Sequence, residues 1–95
     1  MLNSVINSLI YTLRGIHMKA KEPTLIVTFA NTPDAIAMEI FCQQNDLPGL
    51  LIPIPGVLKA GCGLAWRAPA DMKDAFGEKM DAAGTKYMDM HIIEL

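Results

Sequence analysis

Apolar positions along this chain follow two rhythms in turn, one of period two and one near 3.6. TLIVTF (24–29), after Pro23, is apolar on both parities and rich in β-branched residues, which predicts a central strand. NTPDAIAMEIFCQQNDLPG then switches to the helical period. Ala35, Met38 and Cys42 form one row, with Ile36 and Ile40 beside it. Thr32 is the expected cap, Pro33 suits the first helical position, and Asp34 complements the positive helix end. Pro48-Gly49 closes this unit. LLIPIP (50–55) is strand-like, but Pro53 and Pro55 remove two amide donors from one side, which predicts a sheet edge. CGLAWRA supplies a further strand with Leu64 and Trp66 on one face. ADMKDAFGEKMDAAG spaces Met72, Phe76 and Met80 by four and stops at Gly84, a second helix. KYMDMHIIEL alternates as a last strand.

The order strand, helix, strand, strand, helix, strand predicts an α+β, ferredoxin-like βαββαβ sandwich. Its four-stranded antiparallel sheet has order 4-1-3-2 and carries both helices on one face. That topology makes the second strand an edge, which agrees independently with Pro53 and Pro55. Upstream, MLNSVINSLIYTLRGIH places Leu2, Val5, Ile6, Leu9, Ile10 and Leu13 at spacings of three and four, an amphipathic helix pattern. Asn3, Ser4, Asn7 and Ser8 interrupt the apolar run, and the first base is Arg14, so it does not read as a signal peptide. It is either a helix that docks on the domain, a partner or a membrane surface, or an extension upstream of a natural start at Met18. Residues 1–21 are therefore set apart from a domain spanning 22–95.

Composition narrows the class. With 95 residues, 52% hydrophobic and 19% charged, the chain has material for one modest core. No apolar run approaches the roughly 20 residues that cross a bilayer. A net charge of −2 argues against a nucleic-acid partner. The two cysteines, Cys42 and Cys62, make no disulfide framework and cannot alone close a four-ligand zinc site. A reducing, cytoplasmic compartment is the natural expectation. Charge is also uneven: Arg14, Lys19 and Lys21 face no acid before residue 22, whereas 22–95 hold twice as many acids as bases. Between Asp46 and Asp71 there is no acid, yet Lys59 and Arg67 are both there.

That acid-free stretch contains GVLKAGCGLAWR (56–67). The reactive form of cysteine is the thiolate, favoured by positive neighbours and by oriented backbone amides. Gly61 and Gly63 leave amides unshielded and let a second molecule approach the sulfur. Lys59 and Arg67 supply positive charge. Cys62 is thus the candidate reactive residue; the structural alternative is a tight connection with a small buried filler. Cys42 lies on the row of Ala35 and Met38 and reads as core. Met88, Met90 and His91 do not converge as a copper(I) site, because His91 points to the other strand face. The first loop, FANTPDA, has none of the cysteines of metal chaperones. No catalytic triad, phosphate loop or RNA-binding aromatic pattern is present, and no cofactor or metal is expected.

Taken together, TLIVTF, the TPDA helix start, LPGLLIPIP and CGLAWR resemble the putative selenium/sulfur carrier protein-like family, small bacterial proteins. The resemblance covers about residues 24 to 93. Cys62, Gly63, Leu64, Ala65 and Arg67 match its Cys-Gly-Leu-Ala run and following base, while Trp66 stands where an aliphatic residue is more usual and Gly61 where a small polar one is. The first 17 residues lie outside the pattern. The resemblance implies that Cys62 carries sulfur or selenium as a persulfide or selenopersulfide, taking it from a donor protein and passing it to an acceptor protein. Such a chain is a carrier rather than a turnover enzyme. Two other readings stand beside it. One is a non-catalytic interaction or regulatory module, using the open sheet face or the edge at 50–55, with a second copy of the chain among its candidate partners. The other is a redox sensor pairing Cys62 with Cys42.

Overall fold

Five consecutive buried residues, Thr24 to Thr28, can be satisfied only by a strand paired on both sides, and that is the position they take. The computed structural model describes residues 22–59 and 61–95; the predicted N-terminal helix lies outside them. Strand β1 (Pro23–Thr28) lies between β3 (Leu64–Pro69) and β4 (Asp89–Glu94), and β2 (Leu50–Pro53) pairs with the outer side of β3. All pairings are antiparallel, in the order β2-β3-β1-β4. This is the 4-1-3-2 order expected from the sequence, counted from the other edge.

Register assigns the two sheet faces. Val27 lies opposite Trp66 and Met90, and Leu25 opposite Ala68 and Ile92. Helix α1 (Thr32–Gln44) contributes Ala35, Met38 and Cys42 to the core. Helix α2 (Lys73–Ala83), entered through a 3-10 turn at Ala70–Met72, contributes Phe76 and Met80. These five join Leu25, Val27, Phe29, Trp66 and Ala68 in one cluster, so both helices cover the same face. Each large side chain fully buried there stabilises the fold by about 1.5–3 kcal/mol before entropy is counted.

The helix ends follow capping chemistry, with one correction. The cap of α1 is Asn31, not Thr32: its extended backbone (φ −150°, ψ 165°) lets its side chain accept the Asp34 amide at 2.9 Å. Thr32 is already helical and Pro33 follows it. Helix α2 stops as expected at Gly84, with left-handed backbone (φ 71°). There the Gly84 amide donates to Asp81 O and the Thr85 amide to Met80 O, closing the last turn.

The β2 edge explains its prolines. The Ile54 amide donates to Gly63 O at 2.8 Å, which turns the nitrogens of Pro53 and Pro55 away from β3, toward the unpaired side. The Pro48-Gly49 pair does more than end a helical unit. Trp66 Nε1 donates to Pro48 O at 3.1 Å, and Gly49 (φ 128°) packs so closely that a Cβ would overlap the indole and the Arg67 carbonyl. This clasp ties the end of α1 to β3. No helix among the described residues is long and apolar enough to cross a membrane.

Candidate functional site

Cys62 stands where the connection from the β2 edge turns into β3. The connection closes through the Leu58 amide on Pro55 O at 2.9 Å, and it puts Lys59 into left-handed backbone (φ 38°). The Cys62 amide then donates to Phe29 O at 3.1 Å. Continuing the β1–β3 register past Thr28 and Ala65 would set Phe29 opposite Leu64, so the bond to Cys62 leaves two extra residues on the β3 side. The chain is bulged at this point, and bulges re-aim side chains.

Both glycines are needed, for different reasons. At Gly61 (φ 65°) a Cβ would overlap the Phe29 carbonyl, with the carbonyl carbon 3.0 Å away, so the backbone itself occupies the space. At Gly63 (φ 87°) nothing lies within 4 Å of an added Cβ. Its requirement is conformational, and the space beside it is open. Cys62 between them is half-buried. It packs against the core cluster, and its Sγ lies 4.0 Å from Leu64 O. The thiol is therefore supported on one side by the core rim and flanked on the other by two exposed glycines.

The charge surround differs from the one the linear sequence suggests. Lys59 is exposed three residues before Cys62. Arg67 pairs with Ile26, three positions along β1 from the Phe29 carbonyl that holds Cys62, or about 10 Å down the sheet at 3.3 Å per residue, beyond the roughly 8 Å screening length of physiological salt. Its position on the open sheet face, opposite Ile26 and Leu50, belongs to the far end of β3. There, with Glu22, Thr24, Pro48, Leu50 and Pro69, it lines a cleft of about 350 Å³. The fold also brings acids toward the thiol end. Asp89 pairs with Thr28, and Asp34 is in the first turn of α1, whose cap Asn31 is two residues past Phe29. A stretch free of acid in sequence is not free of acid in space.

His91 lies opposite Ile26, well down the sheet from Cys62 and on the face away from Met90. Met88, weighed in the sequence only as a metal ligand, is by contrast a neighbour of this connection. Its Cε would be 3.6 Å from a Cβ on Gly61, and its amide donates to Thr28 O at 2.7 Å. The Phe29 carbonyl, which fixes the Cys62 backbone, also left no sequence signal, since any residue carries one.

Cys42 is the opposite case. It is 1% exposed, and burial pushes its thiol up to about 11. It sits ten residues into α1, about 15 Å from the helix start beside which Cys62 lies. A disulfide needs Cα atoms about 4.4–6.8 Å apart, and both thiols are free.

The family model described as Putative Se/S carrier protein-like matches residues 24–92, from the first buried residue of β1 into β4, and so includes the whole Cys62 connection. No curated protein and no solved structure matches the chain.

Proposed function

Because this chain belongs to the Putative Se/S carrier protein-like family, we propose that it holds one sulfur or selenium atom on Cys62 and delivers it to an acceptor protein. The observation that carries the reading is the mounting of this thiol. Its backbone is pinned to Phe29 O, its inner side rests on the core rim, and its outer side is bordered by exposed Gly61 and Gly63. A carrier needs this combination: a sulfur that keeps its position yet admits another protein's sulfur.

The transfer is an exchange between thiolates. The Cys62 thiolate attacks the outer sulfur of a donor protein's persulfide, a new S–S bond forms, and the donor's inner sulfur leaves as thiolate. Cys62 then holds a persulfide. An acceptor thiolate attacks that outer sulfur in turn, and the Cys62 thiolate is released. No external oxidant or reductant is consumed, and with selenium as outer atom the same steps hold. Gly63 leaves room for the attacking group, Gly61 keeps the loop in register, and Lys59 adds the nearest positive charge in sequence. Arg67 lies about 10 Å down the sheet from the Cys62 end, on the open face. Its place in the far cleft suits contact with a partner instead.

The test is loading of the full chain by a cysteine desulfurase with cysteine, read by intact-mass and peptide mass spectrometry. We expect a gain of one sulfur atom on Cys62 that a thiol reductant removes, retained in Cys42→Ser and lost in Cys62→Ser. Equal labelling of Cys62→Ser, or labelling confined to Cys42, would sink the proposal.

A further inference from the structure

The two edges of the sheet are built differently. On β2 the Ile54 amide points to β3, so alternation sends those of 51, 53 and 55 outward, and Pro53 and Pro55 leave only Leu51 with a donor there. Strand β4 carries neither proline nor glycine over Asp89–Glu94, and among the described residues no strand pairs with its outer side. Its outward groups follow from its inward ones. Leu95 exchanges both backbone hydrogen bonds with Glu22, and the Asp89 amide donates to Thr28 Oγ1, so odd positions face β1. The N–H and C=O groups of Met90, Ile92 and Glu94 therefore point away from the sheet. The Ile92 side chain beside them is 42% exposed and that of Leu95 38%.

We infer that this edge is the contact surface for a second copy of the chain, the two β4 strands pairing antiparallel about a two-fold axis at Ile92. In that register the strand is complementary to itself. Ile92 exchanges both hydrogen bonds with the partner's Ile92, and Met90 and Glu94 exchange theirs with the partner's Glu94 and Met90, so every outward group of the three residues is used. Side chains agree with the backbone. Ile92 meets the partner's Ile92 on the helix-bearing face, where the two exposed side chains cover each other. On the open face His91 stands opposite the partner's Ile93, and Asp89 opposite the partner's Leu95. Like charges do not meet, because a two-fold antiparallel register joins even positions to even and odd to odd. Asp89 and Glu94 thus never stand opposite each other. A register centred on Met90 would send Ile92 to the partner's Met88, whose amide is taken by Thr28 O, and one centred on Glu94 would oppose two carboxylates.

The blunted edge then limits the assembly. The joined sheet runs from β2-β3-β1-β4 into the partner's β4-β1-β3-β2, with a proline-bearing strand at each end, so pairing closes at two copies and does not propagate. Antiparallel pairing also separates the two thiols. Cys62 is held beyond the Thr28 end of β1, where Asp89 starts β4, and the two-fold axis turns this end of one copy away from that of the other. On the carrier reading, each Cys62 is loaded and emptied independently.

Sedimentation velocity of the full chain over a dilution series, together with amide hydrogen exchange followed by NMR, tests this. The concentrated chain should sediment as a species of twice the chain mass and dissociate on dilution. Ile92→Lys should stay monomeric, while Ile40→Lys, at a 49% exposed position of α1, should keep the dimer. In the dimer the amides of Met90, Ile92 and Glu94 should exchange as slowly as those of His91 and Ile93. On dissociation the first three should become fast and the other two stay slow. That contrast is read on the unmodified chain and decides the matter if Ile92→Lys does not fold. A chain that is monomeric at every concentration overturns the assignment, and so does a dimer that survives Ile92→Lys or leaves those three amides fast. Chalcogen loading of Cys62 is a separate readout, so neither proposal's failure is mistaken for the other's.

Discussion

Replacing Gly61 by alanine probes the mounting of Cys62 most directly. The added Cβ would collide with the Phe29 carbonyl, which is backbone and cannot rotate away. Relief requires the loop to move off β1, and the hydrogen bond from the Cys62 amide to Phe29 O goes with it. Alanine in left-handed backbone costs about 1–2 kcal/mol relative to glycine, and a half-buried amide deprived of its partner costs about 1–3 kcal/mol more. The expected loss is thus roughly 2–5 kcal/mol, a large share of the roughly 5–15 kcal/mol that stabilises a domain. Two other glycines provide the scale. Gly63→Ala meets nothing within 4 Å but keeps the positive φ, so about 1 kcal/mol is expected. Gly56→Ala meets nothing and has no positive φ, so its effect should stay within about 0.5 kcal/mol. Urea unfolding followed by Trp66 fluorescence and circular dichroism measures all three. Gly61→Ala no more destabilising than Gly63→Ala would refute the claim that backbone contact with Phe29 holds the loop.

Two further outcomes follow from the same geometry. Iodoacetamide at neutral pH should modify Cys62 and spare Cys42 until the chain unfolds. Cys42 also makes stability depend on alkaline pH: the unfolded thiol ionises around its ordinary 9.0 and the folded one only at about 11, so unfolding releases a proton between them. Stability is complete below about pH 9 and falls as pH rises, by up to about 2–3 kcal/mol near pH 11, a decline that Cys42→Ala should abolish in pH-dependent urea melts. At the start of α1, Asn31→Ala should cost about 1 kcal/mol and Thr32→Ala distinctly less, since only Asn31 accepts the Asp34 amide; equal losses would return the cap to Thr32.

Much of the fold was legible because period and punctuation are local properties. Alternation, the four-residue spacing of Met72, Phe76 and Met80, Gly84 as a stop and two outward prolines each act on the residues beside them, and together they specify the element order and the edge strand. The cap at α1 was misjudged by one residue because Asn31 and Thr32 are both able to cap, and only the backbone angles choose between them. The chemistry of the thiol was legible in kind and misleading in surroundings. Gly61, Cys62 and Gly63 are neighbours in sequence and remain neighbours in space. Arg67 seemed close because five positions is a short count, but strand pairing sets it three positions, about 10 Å, down the sheet from the Phe29 carbonyl that holds Cys62 and on the open face.

By itself, then, the sequence determined which segments are strands and helices, which edge is blunted, and which cysteine is flanked by glycines. Tertiary structure alone decided what surrounds that cysteine. It joined the Cys62 amide to Phe29 O across the chain, carried Asp89 and Met88 to the same end of the sheet, and sent Cys42 toward the other. The physical reason is range. Propensity and periodicity act over a few residues, whereas packing and cross-strand pairing join positions dozens apart, and a thiol's neighbours are set by the second kind of contact.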